Sequence, residues 1–233
     1  IALNNMIDTI YDFSKGGDTF HCRPNSSDEY VVRECYSPMY FKDYMNYNEN
    51  DIVLDVGANI GAYSTRVSKL VKEVYSFEAL KENYDLAQKN LDRNNATNVK
   101  LFNYALIGTD DDEINFYLSK GKNLGGHTIL PTRGRGITVV KARKFSDVLS
   151  ETKATKIKMD IEGAEWNILS EDDIDWSTVD GLVMEWHHKN FNKTRVEKHL
   201  WVMDYLKQNF KFVETNLDLS KKTWYANIWC YND

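Results

Sequence analysis

From residue 52 onward, short apolar runs typical of buried strands stand between longer stretches whose apolar residues recur at helical spacing. The predicted strands are 52–56, 73–78, 99–106, 113–118, 155–161, 181–188, 210–215 and 225–232, and the clearest predicted helices are 62–71 and 80–94. Strands that alternate with helices form βαβ units, so we expect an α/β fold with a mainly parallel sheet. The last two strands have no helix between them and predict a C-terminal hairpin, which adds one antiparallel strand.

Two segments stand apart from this alternation. Residues 1–50 are rich in aromatic residues, and 28–36 carry apolar residues at helical spacing, which predicts a helical N-terminal extension packed on a core domain of residues 51–233. Residues 121–136 contain five glycines and a proline, a composition that favours a loop lying over a site.

Composition narrows the classes of protein. Of 233 residues, 42% are hydrophobic, which suffices for a sizeable core, and the net charge of −6 disfavours a nucleic-acid partner. Three cysteines suit free thiols better than a disulfide framework, and neither a secretory signal nor an apolar run long enough to span a membrane is visible, so we expect a cytoplasmic protein. Because the chain begins with Ile1, we expect other domains of a longer polypeptide beside it.

The candidate chemistry begins where the first predicted strand ends. Gly57 and Gly61 predict a tight strand-to-helix turn, and Glu78 ends the next strand, 21 residues after Gly57. In a βαβ unit, an acid about 20 residues after the glycine turn accepts hydrogen bonds from ribose hydroxyls. The turn and the acid together predict a ligand that contains a nucleoside.

The charge beside the turn distinguishes between nucleoside cofactors. The spacing Gly-x-x-x-Gly lacks the third glycine that a pyrophosphate-binding turn needs. Asp55 would also repel a phosphate, whereas it suits a cationic ligand. We therefore expect S-adenosylmethionine, which carries a sulfonium and an ammonium group but no phosphate, rather than NAD.

The segments VLDVGANIGAYS (53–64), VYSFEA (74–79) and IKMDIEGAE (157–165) resemble the signature segments of the FkbM-type methyltransferases. The similarity extends from about residue 23 to about residue 185. It implies a three-layer, Rossmann-like class I methyltransferase fold that uses S-adenosylmethionine. By resemblance, the residues that contact the cofactor are Asp55, Gly57, Asn59, Gly61 and Glu78, with Asn103 and Ala105 beside the adenine.

A second group of polar residues follows the later strands. Asp160 ends one predicted strand and Glu162 follows it, while Glu185 and His187 lie on the same side of the next strand. Because adjacent strand ends are about 4.8 Å apart, these four candidate catalytic residues could face one pocket. A carboxylate or imidazole could remove the proton of an acceptor hydroxyl, or Asp160 and Glu185 could hold Mg²⁺ or Mn²⁺. The sequence leaves both roles open.

Other residues near these strands carry weaker signals. Glu165 could cap a helix start, where acids are favoured, and His127 could reach the substrate from the glycine-rich loop. We expect His188 to be a surface or core residue, and most of the aromatic residues to belong to the core.

The leading hypothesis is an S-adenosylmethionine-dependent O-methyltransferase. The resemblance implies hydroxyl acceptors on small molecules, sugars or glycans. Two alternatives are compatible with the same fold. One is an NAD-dependent oxidoreductase, which Asp55 disfavours. The other is a non-catalytic nucleoside-binding module, in which the acidic residues after the later strands would have no function.

Overall fold

The computed structural model describes residues 7–11, 17–119, 126–132, 134, 136–172, 174–187, 193–218 and 225–232. Its strands are β1 (Ile7–Tyr11), β2 (Asp18–Cys22), β3 (Ile52–Val56), β4 (Glu73–Phe77), β5 (Val99–Phe102), β6 (Ala105–Ile107), β7 (Glu113–Tyr117), β8 (Ile137–Lys144), β9 (Lys156–Met159), β10 (Gly181–His187), β11 (Phe212–Thr215) and β12 (Tyr225–Tyr231). Its helices are α1 (Asp28–Cys35), α2 (Ala62–Val67), α3 (Lys81–Arg93), α4 (Phe145–Thr152), α5 (Glu165–Leu169) and α6 (Lys193–Asn209).

Seven of these strands form the central sheet, in the order β11-β12-β10-β9-β3-β4-β5. The five strands from β10 to β5 are parallel, and β12 runs antiparallel to both of its neighbours, β10 and β11. The mainly parallel sheet with one antiparallel strand from the C-terminal hairpin is therefore confirmed. Strand order reverses at β3, and in open α/β sheets ligands bind at such a point, beyond the carboxyl ends of the strands.

Hydrophobic layers cover both faces of this sheet. Along β3, the buried Val53 packs with residues of α1, α2 and α3, whereas the adjacent Leu54 packs with residues of α4, α5 and α6. The same alternation separates Val183 from Met184 on β10. Successive side chains of a strand point to opposite faces, so a strand covered on both sides reads as a continuous apolar run. The three-layer prediction is confirmed.

The N-terminal segment contains a β-hairpin that the sequence analysis did not predict. Strands β1 and β2 pair antiparallel, so the expectation of a helical extension is wrong for these residues, although α1 falls where a helix was expected. In β2 the residues are alternately buried and partly exposed, which is the period of a strand. The Asn90 side chain of α3 accepts a hydrogen bond from the His21 N–H, and Phe20 joins the core cluster beside α1, so β2 packs on these two helices.

The predicted strand 99–106 is broken into β5 and β6. Between them, the Asn103 amide donates to the main-chain oxygens of Glu78 and Ala79, and the chain leaves the central sheet. Strand β6 then joins a three-stranded sheet in the order β6-β8-β7, whose member β8 was not predicted. The sequence analysis also did not predict α4 or α6 as helices.

The remaining expectations concern cysteines, membrane segments and the glycine-rich loop. All three cysteines are buried free thiols, as predicted. Among the described residues, no helix has the length and apolar composition needed to cross a membrane. The glycine-rich segment connects β7 to β8, and its residues 121–125, 133 and 135 lie outside the described part.

Candidate active site

A cavity of about 630 Å³ opens at the carboxyl ends of the parallel strands. Its walls come from the turn after β3, the end of β4, the segment after β9 and the end of β10, and α1 closes one side. This is the strand edge where the sequence analysis placed both groups of functional residues.

The turn after β3 lies close to the main chain that follows β9. Gly57 has φ +87°, and a Cβ at this position would lie 2.0 Å from the main-chain oxygen of Asp160. The N–H groups of Gly57 and Ala58 both donate to the Phe77 oxygen, at 3.0 and 2.9 Å. Asn59 also has a positive φ, of 51°, and its N–H donates to the Glu78 carboxylate at the end of β4. Only glycine can occupy position 57, because the ends of β3 and β9 meet there.

Glu78 lies at the end of β4 as predicted, with its carboxylate fixed in the cavity wall. Its two oxygens accept hydrogen bonds from the N–H groups of Asn59 and Leu80, each at 2.9 Å. Burial raises the pKa of Glu78 to about 7, against the lowering effect of these hydrogen bonds. Each carboxylate oxygen can accept more than one hydrogen bond, so Glu78 keeps acceptor capacity for a ligand.

The structure places Asp55 behind the cavity wall. Asp55 is fully buried, accepts a hydrogen bond from the Ser64 hydroxyl and lies 3.3 Å from the Lys158 ammonium, which also donates to the Gly57 oxygen at 2.7 Å. Burial lowers the pKa of Lys158, but Asp55 and Asp160 more than offset this and raise it above its ordinary value. The expected direct contact between Asp55 and a cationic cofactor therefore does not fit this placement.

Two other predicted cofactor residues also lie outside the cavity wall. Gly61 precedes α2 with φ +80° and packs against Ala87, and Asn103 holds the main chain at the end of β4. Ala105, in contrast, lines the cavity. Gly57, Asn59, Glu78 and Ala105 thus face the ligand space directly, while Asp55, Gly61 and Asn103 support the residues that do.

The residues at this end of the cavity fit an adenosyl group. Beside Glu78, the buried Asn83 side chain lines the cavity, and its Oδ1 accepts no hydrogen bond from any described residue. Both side chains therefore offer acceptors to ribose hydroxyls. Next to them, Phe77, Leu106 and Phe116 line an apolar space that suits a planar base.

The predicted catalytic residues meet at the other end of the cavity. Ligand atoms of Asp160, Glu185 and His187 lie within 4.8 Å of one another. The His187 Nε2 atom is 3.6 Å from carboxylate oxygens of both Glu185 and Glu162. The structure therefore brings all four residues together, as the alternation along β10 predicted.

Glu165 fixes the imidazole of His187. This fully buried residue opens α5, and its Oε1 lies 3.0 Å from His187 Nδ1. The same oxygen accepts from the N–H groups of Ile161 and Gly163, both at 3.2 Å. Glu165 is thus more than a helix cap, because it orients His187 with Nδ1 away from the cavity and Nε2 toward it.

The charges around His187 and Glu185 favour the protonated forms of both side chains. Burial lowers the pKa of His187, but the negative charges of Glu165, Asp160 and Glu162 outweigh it and raise the pKa to about 10. Burial and the neighbouring Asp160 raise the pKa of Glu185 to about 9, although the Tyr40 hydroxyl donates to it at 3.0 Å. A cation placed among these groups would lower both pKa values.

The sequence analysis missed Glu34, Tyr40 and Lys158, which also line the cavity. Glu34 lies on α1, far from the strand ends in sequence, and no local pattern of the sequence places this helix at the cavity. His127 also lines the cavity from the β7–β8 connection, and its Nδ1 accepts from the Ser119 N–H at 2.9 Å.

The aromatic residues divide between the core and the cavity. Trp186 is buried in the core, and Trp166 packs against both Trp186 and Trp201 rather than lining the cavity. Tyr63 is buried in the core and also reaches the cavity wall. His188 and Trp224 lie outside the described residues.

Comparisons with known proteins agree with this geometry. The sequence model of the methyltransferase FkbM domain matches residues 55–213. No curated protein shows significant similarity to the sequence. Among solved structures, the methyltransferase FkbM from Methylobacillus flagellatus KT is similar with a TM-score of 0.55 and 20% identity, over 84% of this chain and 48% of that one. A SAM-dependent O-methyltransferase from Thermotoga maritima has a TM-score of 0.49 and 14% identity, over 96% of this chain and 77% of that one.

The parallel sheet with its antiparallel strand β12, the glycine turn after β3 and the acid at the end of β4 are those of a class I, S-adenosylmethionine-dependent methyltransferase. Because the matched domain covers more than half of the sequence, the chain belongs to the FkbM methyltransferase family. The chain spans about half of the length of the M. flagellatus protein. This membership disfavours the oxidoreductase and non-catalytic alternatives.

Proposed function

We propose that this chain is an O-methyltransferase whose acceptor is a hydroxyl group of a sugar or glycan. The observation that carries the proposal is the His187 imidazole, which Glu165 fixes at 3.0 Å so that Nε2 faces the cavity. An alcohol holds its proton too tightly to attack a methyl group unaided, whereas a neutral amine needs no such help. A positioned base beside the cofactor site therefore favours an oxygen acceptor.

In this proposal, different cavity residues bind the cofactor, orient the acceptor and remove its proton. Bound S-adenosylmethionine supplies an electrophilic methyl group. Glu78 and Asn83 bind the ribose, while Asp160 and Glu185 orient the acceptor through hydrogen bonds with its neighbouring hydroxyl groups. Because a nearby cation lowers the pKa of an imidazole, His187 loses its proton when the positively charged cofactor is bound. Its Nε2 atom then takes the hydroxyl proton, and Glu165 stabilises the imidazolium that results. The remaining rate enhancement comes from orientation of the acceptor oxygen.

Support for a sugar acceptor comes from the mouth of the cavity. Tyr225 pairs with His187 across β10 and β12, its ring centre is 5.8 Å from the imidazole, and 38% of its surface is exposed. Tyr30 on α1, 62% exposed, interacts with Tyr225. Exposed tyrosines with carboxylates behind them offer an apolar face to a sugar ring and acceptors to its hydroxyls.

The same cluster suits a divalent cation as an alternative activator. Two carboxylates and an imidazole whose ligand atoms lie within 4.8 Å could hold Mn²⁺ or Mg²⁺. Asp160, Glu185 and His187 would then hold the ion, which would lower the pKa of a bound alcohol. Activity after treatment with EDTA separates the two versions, since only the metal-dependent one loses activity and regains it with Mn²⁺ or Mg²⁺.

The test of the proposal is a screen of sugars and glycosides with ¹³C-methyl-labelled S-adenosylmethionine, read by NMR. We expect a labelled O-methyl signal that the His187→Gln variant reduces at least about 100-fold. The exposed Glu151→Gln variant should keep full activity. A label found only on nitrogen or carbon, with every hydroxyl acceptor unmodified, would refute O-methylation.

A further inference from the structure

Glu34 is an acidic residue of the cavity wall that lies before the matched domain of residues 55–213. It is half-buried on α1, and Val31 and Cys35 of the same helix also line the cavity. The charges of Asp160 and Lys158 act on the Glu34 carboxylate, and the main-chain oxygen of Asp160 lies against Gly57. Glu34 therefore faces the part of the cavity between Asp160 and the glycine turn.

Both ends of α1 are fixed, so Glu34 is held in position. At its start, the Arg23 guanidinium donates to both oxygens of the buried Asp28, at 2.9 and 2.8 Å. At its end, the Arg66 guanidinium of α2 donates to the main-chain oxygens of Cys35 and Ser37, each at 3.0 Å. Because α2 follows the glycine turn directly, these contacts tie Glu34 to the turn.

The described residues balance the charge of Glu34 only in part, since Lys158 and His187 lower its pKa without forming an ion pair with it. Among the described residues, no lysine, arginine or histidine forms an ion pair with it, and Lys158 is already engaged by Asp55 and by the Gly57 oxygen. Burial and the like charge of Asp160 raise the pKa of Glu34 to about 7. A cationic ligand group at this position would remove the repulsion between the two carboxylates.

The arrangement of the cavity indicates which cation lies there. A cofactor bound with its ribose at Glu78 and its base beside Ala105 would place its methionine end, which carries the ammonium group, across Gly57 toward Asp160 and Glu34. We propose that Glu34 binds the α-ammonium group of the cofactor, so that a residue outside the matched domain completes the cofactor site.

The test uses calorimetric binding of two ligands that differ in the methionine end. S-adenosylhomocysteine has the ammonium, whereas 5′-methylthioadenosine lacks the whole amino-acid part. We expect Glu34→Gln to weaken S-adenosylhomocysteine binding at least about tenfold, the size of a charge-assisted hydrogen bond, and to leave 5′-methylthioadenosine binding unchanged. Glu29→Gln, on the exposed side of the same helix, should leave both affinities unchanged.

Two results would overturn this proposal. Equal weakening of both ligands in Glu34→Gln would show that the substitution disturbs the cavity as a whole. Unchanged binding of both ligands, with or without a raised KM for the acceptor, would show that Glu34 does not hold the ammonium. Because these measurements contain no acceptor, their outcome is independent of whether the protein methylates oxygen.

Discussion

The Lys158 ammonium lies 3.3 Å from the Asp55 carboxylate, and both side chains are buried beneath the glycine turn. The two residues are direct neighbours on the paired strands β3 and β9. Because Lys158 also donates to the Gly57 oxygen, the pair fixes the turn that forms part of the cavity wall. The charge of Asp55 is thus balanced inside the protein, and the pair positions the main chain of the turn.

Lys158→Met tests this role. The variant leaves Asp55 buried without its partner, so we expect the free energy of unfolding in urea to fall by about 3–5 kcal/mol. The double variant Asp55→Asn, Lys158→Met should recover part of that stability, because no unpaired charge remains. Unfolding of Lys158→Met at the wild-type urea midpoint would contradict the assignment.

Gly57→Ala tests the close approach of β3 and β9. A Cβ at 2.0 Å from the Asp160 oxygen cannot be accommodated, and φ +87° is unfavourable for alanine. We expect a loss of at least about 3 kcal/mol in stability and no calorimetric binding of S-adenosylhomocysteine. The matched control is Gly136→Ala, whose Cβ would have its nearest contact at 3.6 Å and which should change stability by less than about 1 kcal/mol. Similar behaviour of the two variants would contradict this account.

The sequence predicted those parts of the fold that local patterns determine. Apolar runs covered on both faces gave the parallel strands, and the missing helix before 225–232 gave the hairpin. Strand β8 was missed because it follows the glycine-rich segment and because charged residues at 141, 143 and 144 cut its apolar run short. The break between β5 and β6 depends on the Asn103 side chain reaching the main chain of β4, a contact that no local pattern shows.

The residues of the site show the same difference between what local patterns predict and what depends on long-range packing. Gly57 and Glu78 were predicted because their spacing along one βαβ unit fixes their distance in space. The partner of Asp55 could not be predicted, because Lys158 is about 100 residues away and a lysine within a strand usually indicates a solvent-exposed position. Glu34 was missed for a related reason: only the packing of α1 on α2 brings it to the cavity.

Glu165→Gln tests the control of His187. The variant keeps an acceptor for Nδ1 but removes the charge, so the pKa of His187, about 10 in the folded protein, should fall toward the ordinary value of about 6.5. NMR titration of the imidazole measures this directly. An unchanged pKa would show that Glu165 does not set the protonation of His187.

The raised pKa of His187 also predicts a dependence of stability on pH. Since the folded-state pKa lies above the unfolded value of about 6.5, the protonated imidazole stabilises the fold fully below that pH, and the contribution is lost as pH rises through about 10. The stability difference between wild type and His187→Gln in urea should therefore shrink from pH 6 to pH 10. A constant difference across this range would contradict the prediction.

Glu78 predicts a pH dependence of adenosyl binding. Burial raises its pKa to about 7, and only the ionised carboxylate can accept hydrogen bonds from both ribose hydroxyls while it keeps those from Asn59 and Leu80. Calorimetric affinity for 5′-methylthioadenosine, which lacks the charged methionine end, should rise between pH 6 and pH 8. Glu78→Gln should bind at least about tenfold more weakly and show no rise, whereas Glu82→Gln, exposed on α3, should behave as wild type. A wild-type affinity that is constant over this range would mean that the Glu78 carboxylate is already ionised at pH 6 or does not contact the ribose.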